Sequence, residues 1–572
     1  MTSSSQLSRR NFLALTGGLT ATAALSSGCW KSDSSAGKKP NVVLVFTDEM
    51  TLKHLSCYGG TIPTPNIDRL ASEGVRFTKA YSAGAMCTPA RLGVLTGQYP
   101  GRCSHPRFLK AFPVTEPYRI VWNNPIHSEA STIARVLSSA GYTTAYVGKD
   151  HNLGPNKPDL PTLDANLPLT DPKVEETLQQ SQKAWQEAIR QQYGFDYAAS
   201  VTTNMDAQYF EALKYHNIPW ITKGAVDFLE SQKGSEKPFF LYVAPTGVHG
   251  PHHGQSIRRD FRYTPQGYVP DVTQYAPDYE ALNAKIKDWP SGKQHHYAAM
   301  QDMDHQVGVL MNKLEEIGEE ENTLFVFMCD HNVEPGKTSC MERGFHIPML
   351  MRWPRKIKAG AVSSSLVQSV DILPTLASLA GASLPEGVPF DGTDASRLFD
   401  NPKATVREYV YLESGFDRAV SDGRYKYIAR RLPEKYIEKM KNGDVEYAFT
   451  GLGAPARGHS QLSATFYPGY LDQNQVYDVK KDPYEQNNLY GKPEVDQVTS
   501  RLKKVLQQKL ATFRHPYDLS DIPYLESDHY KQLAKKTRAR GVDDSKGYYK
   551  RDHDKIVWPP VAEDKLPGPF QF

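Results

Sequence analysis

Cysteine is scarce: the 572 residues hold six, at positions 29, 57, 87, 103, 329 and 340. Six are far too few for a disulfide-built scaffold, and no two are spaced C-x-x-C, which excludes the common zinc and thioredoxin-type motifs. One or two disulfides among 57, 103, 329 and 340 stay open, as an oxidising compartment would allow. An excess of either charge is also missing. The 67 Lys and Arg stand against 64 Asp and Glu, so nothing argues for nucleic acid as a partner. The basic run 531–540 has acidic neighbours and reads as a solvated helix face. Internal repeats are absent, and past Trp30 no apolar run is long enough to span a bilayer.

What is present begins at the N-terminus. Arg9-Arg10 precede Phe12-Leu13 and a short apolar run rich in Ala, Gly and Thr, which closes at Gly28-Cys29. This pattern predicts a twin-arginine export signal over 1–29, read by the twin-arginine export machinery. Gly28-Cys29 resembles a lipoprotein cleavage site, with Ser26 where Leu is usual. The expected location is therefore periplasmic or secreted, with Cys29 as the candidate lipid anchor.

Four short β-branched runs then stand out. "NVVLVF" (41–46) is followed by Asp48-Glu49, and "TTAYV" (143–147) by Lys149-Asp150-His151. "FFLYVA" (239–244) leads to His249, and "TLFVFM" (323–328) to Asp330-His331. Helical patterns separate most of these runs, as in 67–74, 130–141, 221–232 and 303–318. In a doubly wound parallel sheet the ligand site lies beyond the carboxyl ends of the strands. Four strands that each deliver charged or imidazole side chains predict one shared site. The stretch 152–195, rich in Pro, Asp and Gln, reads as an insertion able to cover the site mouth.

The expected organisation is an α/β catalytic domain over 38–400 with a large, mostly parallel sheet flanked by helices. A smaller α+β domain follows over 401–515, where alternating strands precede an amphipathic helix at 494–513. An extended arm closes the chain over 516–572.

The chemistry gathers around "MCTPARLGVLTG" (86–97). Pro89 suits the first turn of a helix and Gly97 its end. Cys87 then sits at the positive end of the helix dipole, where an anionic sulfur or oxygen is favoured, with Arg91 one turn on. Asp48, Glu49 and Asp330 are hard oxygen donors suited to Ca²⁺ or Mg²⁺, and His331 adds a nitrogen. Lys149, Lys337, His151 and His249 supply cations and proton carriers. A metal, a cationic cage and a nucleophile fit a tetrahedral oxyanion: sulfate, phosphate or phosphonate.

The motif C-x-P-x-R followed by "LTGQYP" resembles the signature of type I sulfatases of the alkaline phosphatase superfamily. The resemblance continues in order through "AGYTTAYVGKDHNLG" (140–154), "KPFFLYVAPTGVHGPH" (237–252), "NTLFVFMCDHNVEPGKTSCMERGFHIPMLMRWP" (322–354) and "VYDVKKDPYEQNNL" (476–489), covering roughly 38–490. It implies that Cys87 is oxidised to formylglycine (3-oxoalanine) by a formylglycine-generating or radical sulfatase-maturating enzyme. The hydrated aldehyde would attack sulfur, the alcohol would leave, and the second hydroxyl would expel sulfate. By resemblance Arg91 steadies residue 87, Lys149 and Lys337 grip sulfate, and His151 is the base. His249, with Lys337, protonates the leaving oxygen. Asp48, Glu49, Asp330, His331 and residue 87 would hold Ca²⁺, with Mg²⁺ or Mn²⁺ as substitutes. The implied substrate is a sulfated oligo- or polysaccharide. Two positions depart from the family pattern, Glu49 for the usual Asp and His331 for the usual Asn. An Asp-His pair also occurs in relatives that cleave phosphonate monoesters and phosphodiesters, which is the alternative hydrolase. A non-catalytic glycan-binding protein is the alternative from another class. His252 and His253 read as substrate contacts or surface residues.

Overall fold

Asn41–Thr47 (β1) is apolar at five successive positions and buried at all seven, as a strand covered on both faces requires. The computed structural model describes residues 38–539 apart from 163, 165, 166, 204–212, 334, 443–459 and 461. The expected export signal over 1–29, with Arg9, Arg10 and Cys29, lies outside the described residues, as does the chain beyond 539.

Strands β2 (Val75–Tyr81), β3 (Thr143–Lys149), β4 (Tyr197–Thr202) and β5 (Phe239–Ala244) follow β1, and Tyr263–Thr264 (β6) forms a short hairpin with Gly267–Tyr268 (β7). Next come β8 (Thr323–Cys329), β9 (His346–Arg352), β10 (Ala361–Ser363) and β11 (Val367–Gln368). Apart from the hairpin these make a nine-stranded sheet in the order β10-β2-β9-β8-β1-β5-β3-β4, with β11 also on β2. Pairing is parallel except where β9 runs antiparallel to β2 and β8. The strands expected to carry the site, β8, β1, β5 and β3, are thus adjacent and parallel, and their carboxyl ends open on one side. Helices Pro65–Ser72, Ile218–Ser231 and Ser291–Glu316 pack together in one group, and Cys87–Thr96, Ile133–Ser139 and Ile372–Ala380 in another.

A second sheet holds β12 (Val410–Ser414), β13 (Asp417–Ser421), β14 (Tyr425–Arg430) and β15 (Asn474–Asp478), antiparallel in that order. Successive side chains take opposite faces. Tyr411, Val420 and Tyr427 join the main core, with Leu502 and Leu506 of the helix Asp496–Leu510. Leu412, Ala419 and Ile428 pack instead with Tyr81, Met341 and Phe345.

Three expectations change. The stretch 152–195 contains a 22-residue helix, Pro172–Tyr193, that packs against β4 at the sheet edge. Val174, Leu178, Trp185 and Ile189 form its buried stripe, between the cap at Asp171 and the left-handed Gly194. In the segment expected as an extended arm, Asp528–Ala539 is helical, and Tyr530 and Leu533 bury into the second sheet's core. Cys57, Cys103, Cys329 and Cys340 are free thiols rather than disulfide halves. Separate parts of the core hold them: Cys103 Sγ donates to Pro125 O (3.3 Å), Cys329 to His331 O (2.9 Å) and Cys340 to Asp417 O (3.7 Å).

A buried charge cluster joins the two sheets. Lys426 Nζ of β14 lies 2.9 Å from Glu342 Oε1 and 2.6 Å from Glu485 Oε1. Burial pushes the Glu485 carboxyl up to about 7 from its ordinary 4.5; Lys426 opposes the rise and Glu342 adds to it. The folded chain keeps a proton there that the unfolded chain releases near 4.5, so this group's contribution to stability falls as pH rises from 4.5 to about 7. Glu485→Gln removes that slope. Thermal unfolding of variant and parent across this window should show the variant gaining relative stability as pH rises; parallel curves would refute the assignment.

Candidate active site

Cys87 opens the helix Cys87–Thr96, with Met86 as its extended N-cap and Gly97 closing it at φ 65°. Pro89 falls in the first turn, where its missing N–H leaves no bond unmade. Every residue of this helix is buried. Gly84 lets the preceding loop lie against it, since a Cβ there would meet Pro89 Cβ at 2.8 Å.

Four donors converge at the helix start. One ligand atom from each of Asp48, Cys87, Asp330 and His331 lies within 4.8 Å of the other three, and all four residues are buried. Cys87 Sγ is 3.2 Å from His331 Nε2 and 3.5 Å from Asp48 Oδ1. Backbone N–H groups of Glu49 (3.1 Å) and His331 (2.8 Å) donate to Asp330 Oδ1. His331 Nδ1–H donates to Asn332 O at 2.7 Å, which leaves a lone pair on Nε2 aimed at the other donors. Two carboxylates and an outward-fixed imidazole fit a hard divalent cation, and an oxygen at position 87 would suit it better than sulfur does.

Two cations face this set. Lys149 Nζ, at the end of β3, pairs with Asp48 Oδ2. Arg91 NH2 is 3.2 Å from Asp330 Oδ2 and 4.0 Å from Asp48 Oδ2, while NH1 donates to Tyr242 OH at 3.3 Å. Burial pushes the Asp48 carboxyl up, but Lys149, with His249, Arg91 and His331, overrides it and holds Asp48 well below the usual range. Asp330 is held above it, by burial and by Asp48. Burial and the Asp48 carboxylate also push the Cys87 thiol well above its ordinary value, against Lys149 and Arg91. This corrects the expectation from the helix dipole: at this position the thiol stays protonated.

Glu49, expected beside Asp48 among the metal donors, stands apart from the quartet. Its backbone is left-handed (φ 52°), and its Oε1 pairs with Lys337 Nζ and lies 3.6 Å from His249 Nε2. His249 Nδ1–H donates to Gly250 O at 2.7 Å. Burial lowers His249, with Asp48 opposing and Lys149 assisting. Burial lowers Lys337 to about 8 while Asp48 holds it up. Burial and Lys149 drive His151 well below 6.5, so it is neutral, and its buried Nδ1 makes no hydrogen bond among the described residues. His253 is wholly buried and paired with Asp302 (2.9 Å), neither a surface residue nor a substrate contact.

Several supporting residues carry no local signal in the sequence. Tyr193 OH donates to Asp150 Oδ1 (2.6 Å), and Asp150 in turn accepts from the backbone of Asn152 (3.2 Å) and Leu153 (3.3 Å), fixing the turn that carries Lys149 and His151. Asn152 Nδ2 donates to Thr88 O (2.8 Å), tying that turn to the start of the Cys87 helix. Only the fold brings these partners together.

With the geometry in view, the chain belongs to the sulfatase family: the model described as Sulfatase matches residues 40–382, more than half of its length. It is a hydrolase of sulfuric esters. It is similar to an ulvan-active sulfatase of Formosa agariphila, at 25% identity over 84% of this chain and 81% of that protein. An N-acetylgalactosamine-6-O-sulfatase of Bacteroides thetaiotaomicron is 26% identical over 84% of this chain and 96% of the relative. The solved structure of a sulfatase from Pseudoalteromonas sp. shares the fold, with a TM-score of 0.53 at 20% identity and coverage of 85% and 92%.

A protonated, buried thiol predicts slow alkylation. In protein still carrying cysteine at 87, iodoacetamide near pH 8 should label Cys87 at least on the order of a hundredfold slower in the folded than in the unfolded chain. Peptide mass spectrometry reads the rate; comparable labelling in both states would contradict the burial and pKa argument.

Proposed function

We propose that this sulfatase removes sulfate from a sulfated carbohydrate through a formylglycine made from Cys87. The carrying observation is the buried thiol, held protonated, at the meeting point of Asp48, Asp330, His331, Arg91 and Lys149. A thiolate is disfavoured there, whereas a hydrated aldehyde brings two hydroxyls to the same point. The names of the two relatives described above favour a glycan substrate, ulvan in one and N-acetylgalactosamine 6-sulfate in the other.

Asp48, Asp330, His331 and the oxidised residue 87 would hold Ca²⁺, with Mg²⁺ or Mn²⁺ as substitutes. When bound, the ion would acidify a hydroxyl of residue 87 and draw charge from the sulfate oxygens. Lys149 and Lys337 would hold the sulfate, and Arg91 would fix residue 87 and balance Asp330. One hydroxyl oxygen of the diol attacks sulfur as its proton passes to the Asp330 carboxylate, the more basic of the two carboxylates beside residue 87. The bond from sulfur to the substrate oxygen breaks, and that oxygen takes a proton from His249. Lys337, His249 and the Glu49 carboxylate between them form a line along which this proton can be resupplied. His151, neutral through burial, then accepts the proton of the second hydroxyl. The C=O bond re-forms, the bond from carbon to the sulfate oxygen breaks, sulfate leaves, and water restores the diol.

Export through the twin-arginine route fits Arg9-Arg10, with a periplasmic or secreted enzyme as its product and Cys29 as its lipid anchor. That route carries folded protein, so a maturating enzyme of the cytoplasm can act on Cys87 first.

The test is the mass of the peptide spanning 86–91 from protein made in its native host. The expected change is sulfur exchanged for oxygen with loss of two hydrogens. Cys87→Ala should then cost on the order of a thousandfold or more in kcat on sulfated oligosaccharides. Unchanged cysteine together with full activity would sink the formylglycine reading. A preference for phosphodiesters over sulfated glycans would sink the substrate reading.

A further inference from the structure

We propose that His216 and His295 are positioning residues for sulfate ester cleavage, holding His249 in place by clamping the backbone carbonyls around it. The inference rests on the reading of His249 as the acid toward the leaving oxygen.

β5 ends at Ala244, and the chain from 245 to 252 is turn and bend with no ladder of its own. Such a segment must find outside partners for its carbonyls or leave them unpaired in a buried place. Here four successive carbonyls, of residues 248 to 251, all accept from imidazole nitrogens. His295 Nε2 donates to Val248 O at 2.7 Å. His216 Nε2 donates to His249 O at 2.8 Å and also faces Pro251 O at 3.2 Å. Gly250 O takes the Nδ1–H of His249 itself. On the other side the segment is stitched to β1: Asp48 N donates to Gly247 O (3.3 Å) and Val248 N to Asp48 O (3.2 Å).

The remaining nitrogen of each clamp is engaged as well, which defines its tautomer. His216 Nδ1 accepts from the Thr246 hydroxyl at 2.8 Å, and His295 Nδ1 accepts from His253 N at 2.8 Å. Each imidazole therefore needs its proton on Nε2 and none on Nδ1. Both residues are buried, which lowers both pKa values well below 6.5, so a single neutral form persists. The clamp has a rigid backing. His295 and Asp302 stand two turns apart on the helix Ser291–Glu316, and Asp302 Oδ2 accepts from Tyr279 OH at 2.8 Å and pairs with His253. The His253 ring stacks on His216, with centroids 5.2 Å apart and planes at 27°.

Proton delivery in a transition state needs this rigidity, since a shift of about 1 Å in a catalytic group can cost on the order of a hundredfold. The acid, unlike Asp48 and Lys149, does not sit at the end of a strand. The two histidines supply what the sheet gives the others.

Matured enzyme carrying His216→Ala, His295→Ala, His216→Gln or His249→Ala should be compared on two esters. One is the sulfate of a sugar hydroxyl, whose leaving oxygen needs a proton; the other is 4-nitrophenyl sulfate, whose phenolate leaves without one. Both clamp-to-Ala variants should lose on the order of a hundredfold in kcat on the sugar ester and no more than a few-fold on the aryl ester, with KM little changed. Gln reaches the same carbonyl with an N–H, so His216→Gln should recover most of the loss. Equal losses on both esters, or none, for the clamp variants while His249→Ala is selective would overturn the clamp. A His249→Ala loss that is equal on both would instead overturn the acid assignment on which it rests. The crystal structures of His216→Ala and of the milder Thr246→Val decide the matter without turnover. The His249 ring should move by about 1 Å or more while Asp48 and Lys149 stay in place, and an unmoved ring would refute the clamp.

Discussion

Asp48 and Asp330 stand side by side without solvent exposure, and this buried negative charge is the constraint on which the site is built. Two unscreened carboxylates cost several kcal/mol each to bury unless cations and N–H donors meet them. Arg91 and Lys149 supply the cations, and the backbone of Glu49 and His331 supplies donors to Asp330. These partners come from β1, β3, β8 and the Cys87 helix, so the compensation exists only if the strands end at one level. They do: Thr47 of β1 lies opposite Cys329 of β8, and Gly148 of β3 opposite Ala244 of β5. Parallel register is thus what makes the charge balance affordable.

The same concentration of charge decides what residue 87 can be. A helix N-terminus favours an anion at about 1 kcal/mol or less, whereas full burial and a neighbouring carboxylate push a thiol's pKa up and outweigh it. Desolvation therefore wins at Cys87, and thiolate chemistry is disfavoured where the protein spends most on organisation. Around it burial sorts the proton carriers by type: His151 stays neutral, able to accept, while Lys337 with a pKa of about 8 stays charged at neutral pH, able to hold an anion or resupply a proton. Environments that drive titratable neighbours apart are what separate base from acid in one small volume.

Much of this was legible in the sequence, for identifiable reasons. β1, β3, β5 and β8 announce themselves because a strand buried on both faces must be apolar throughout, and the charged residue after each marks its carboxyl end. Pro89 and Gly97 mark the Cys87 helix. Residue types were hard to read where composition masked period. Pro172–Tyr193 is dominated by Gln, Glu and Lys, yet Asp171-Pro172, Gly194 and a four-position apolar stripe were all present. Pairings across the fold were not legible at all. His216, Asn152 and Tyr242 act through partners that no local pattern reveals, and Glu49 pairs with a lysine 288 positions away. His253 looked like a surface or substrate residue because its partner Asp302 lies on a distant helix.

The two halves of the proposed site are supported differently, and the second sheet enters the support of only one of them. The proposed sulfate-facing half, Asp48, Lys149 and Asp330, stands directly at or after strand ends of the large sheet. The leaving-group half does not. His249 rides the imidazole-clamped segment after β5, and Lys337 rides the turn between β8 and β9. That turn is anchored from the C-terminal side: Ser463 Oγ donates to Pro335 O, the Thr338 and Ser460 hydroxyls meet at 3.2 Å, and Lys426 of β14 holds Glu342. Without the second sheet the residues at the strand ends would keep their supports, while the turn that carries Lys337 would lose these anchors. In the proposed mechanism the second sheet therefore supports the side of the site that faces the alcohol, while the charge balance at residue 87 rests on the large sheet and the Cys87 helix.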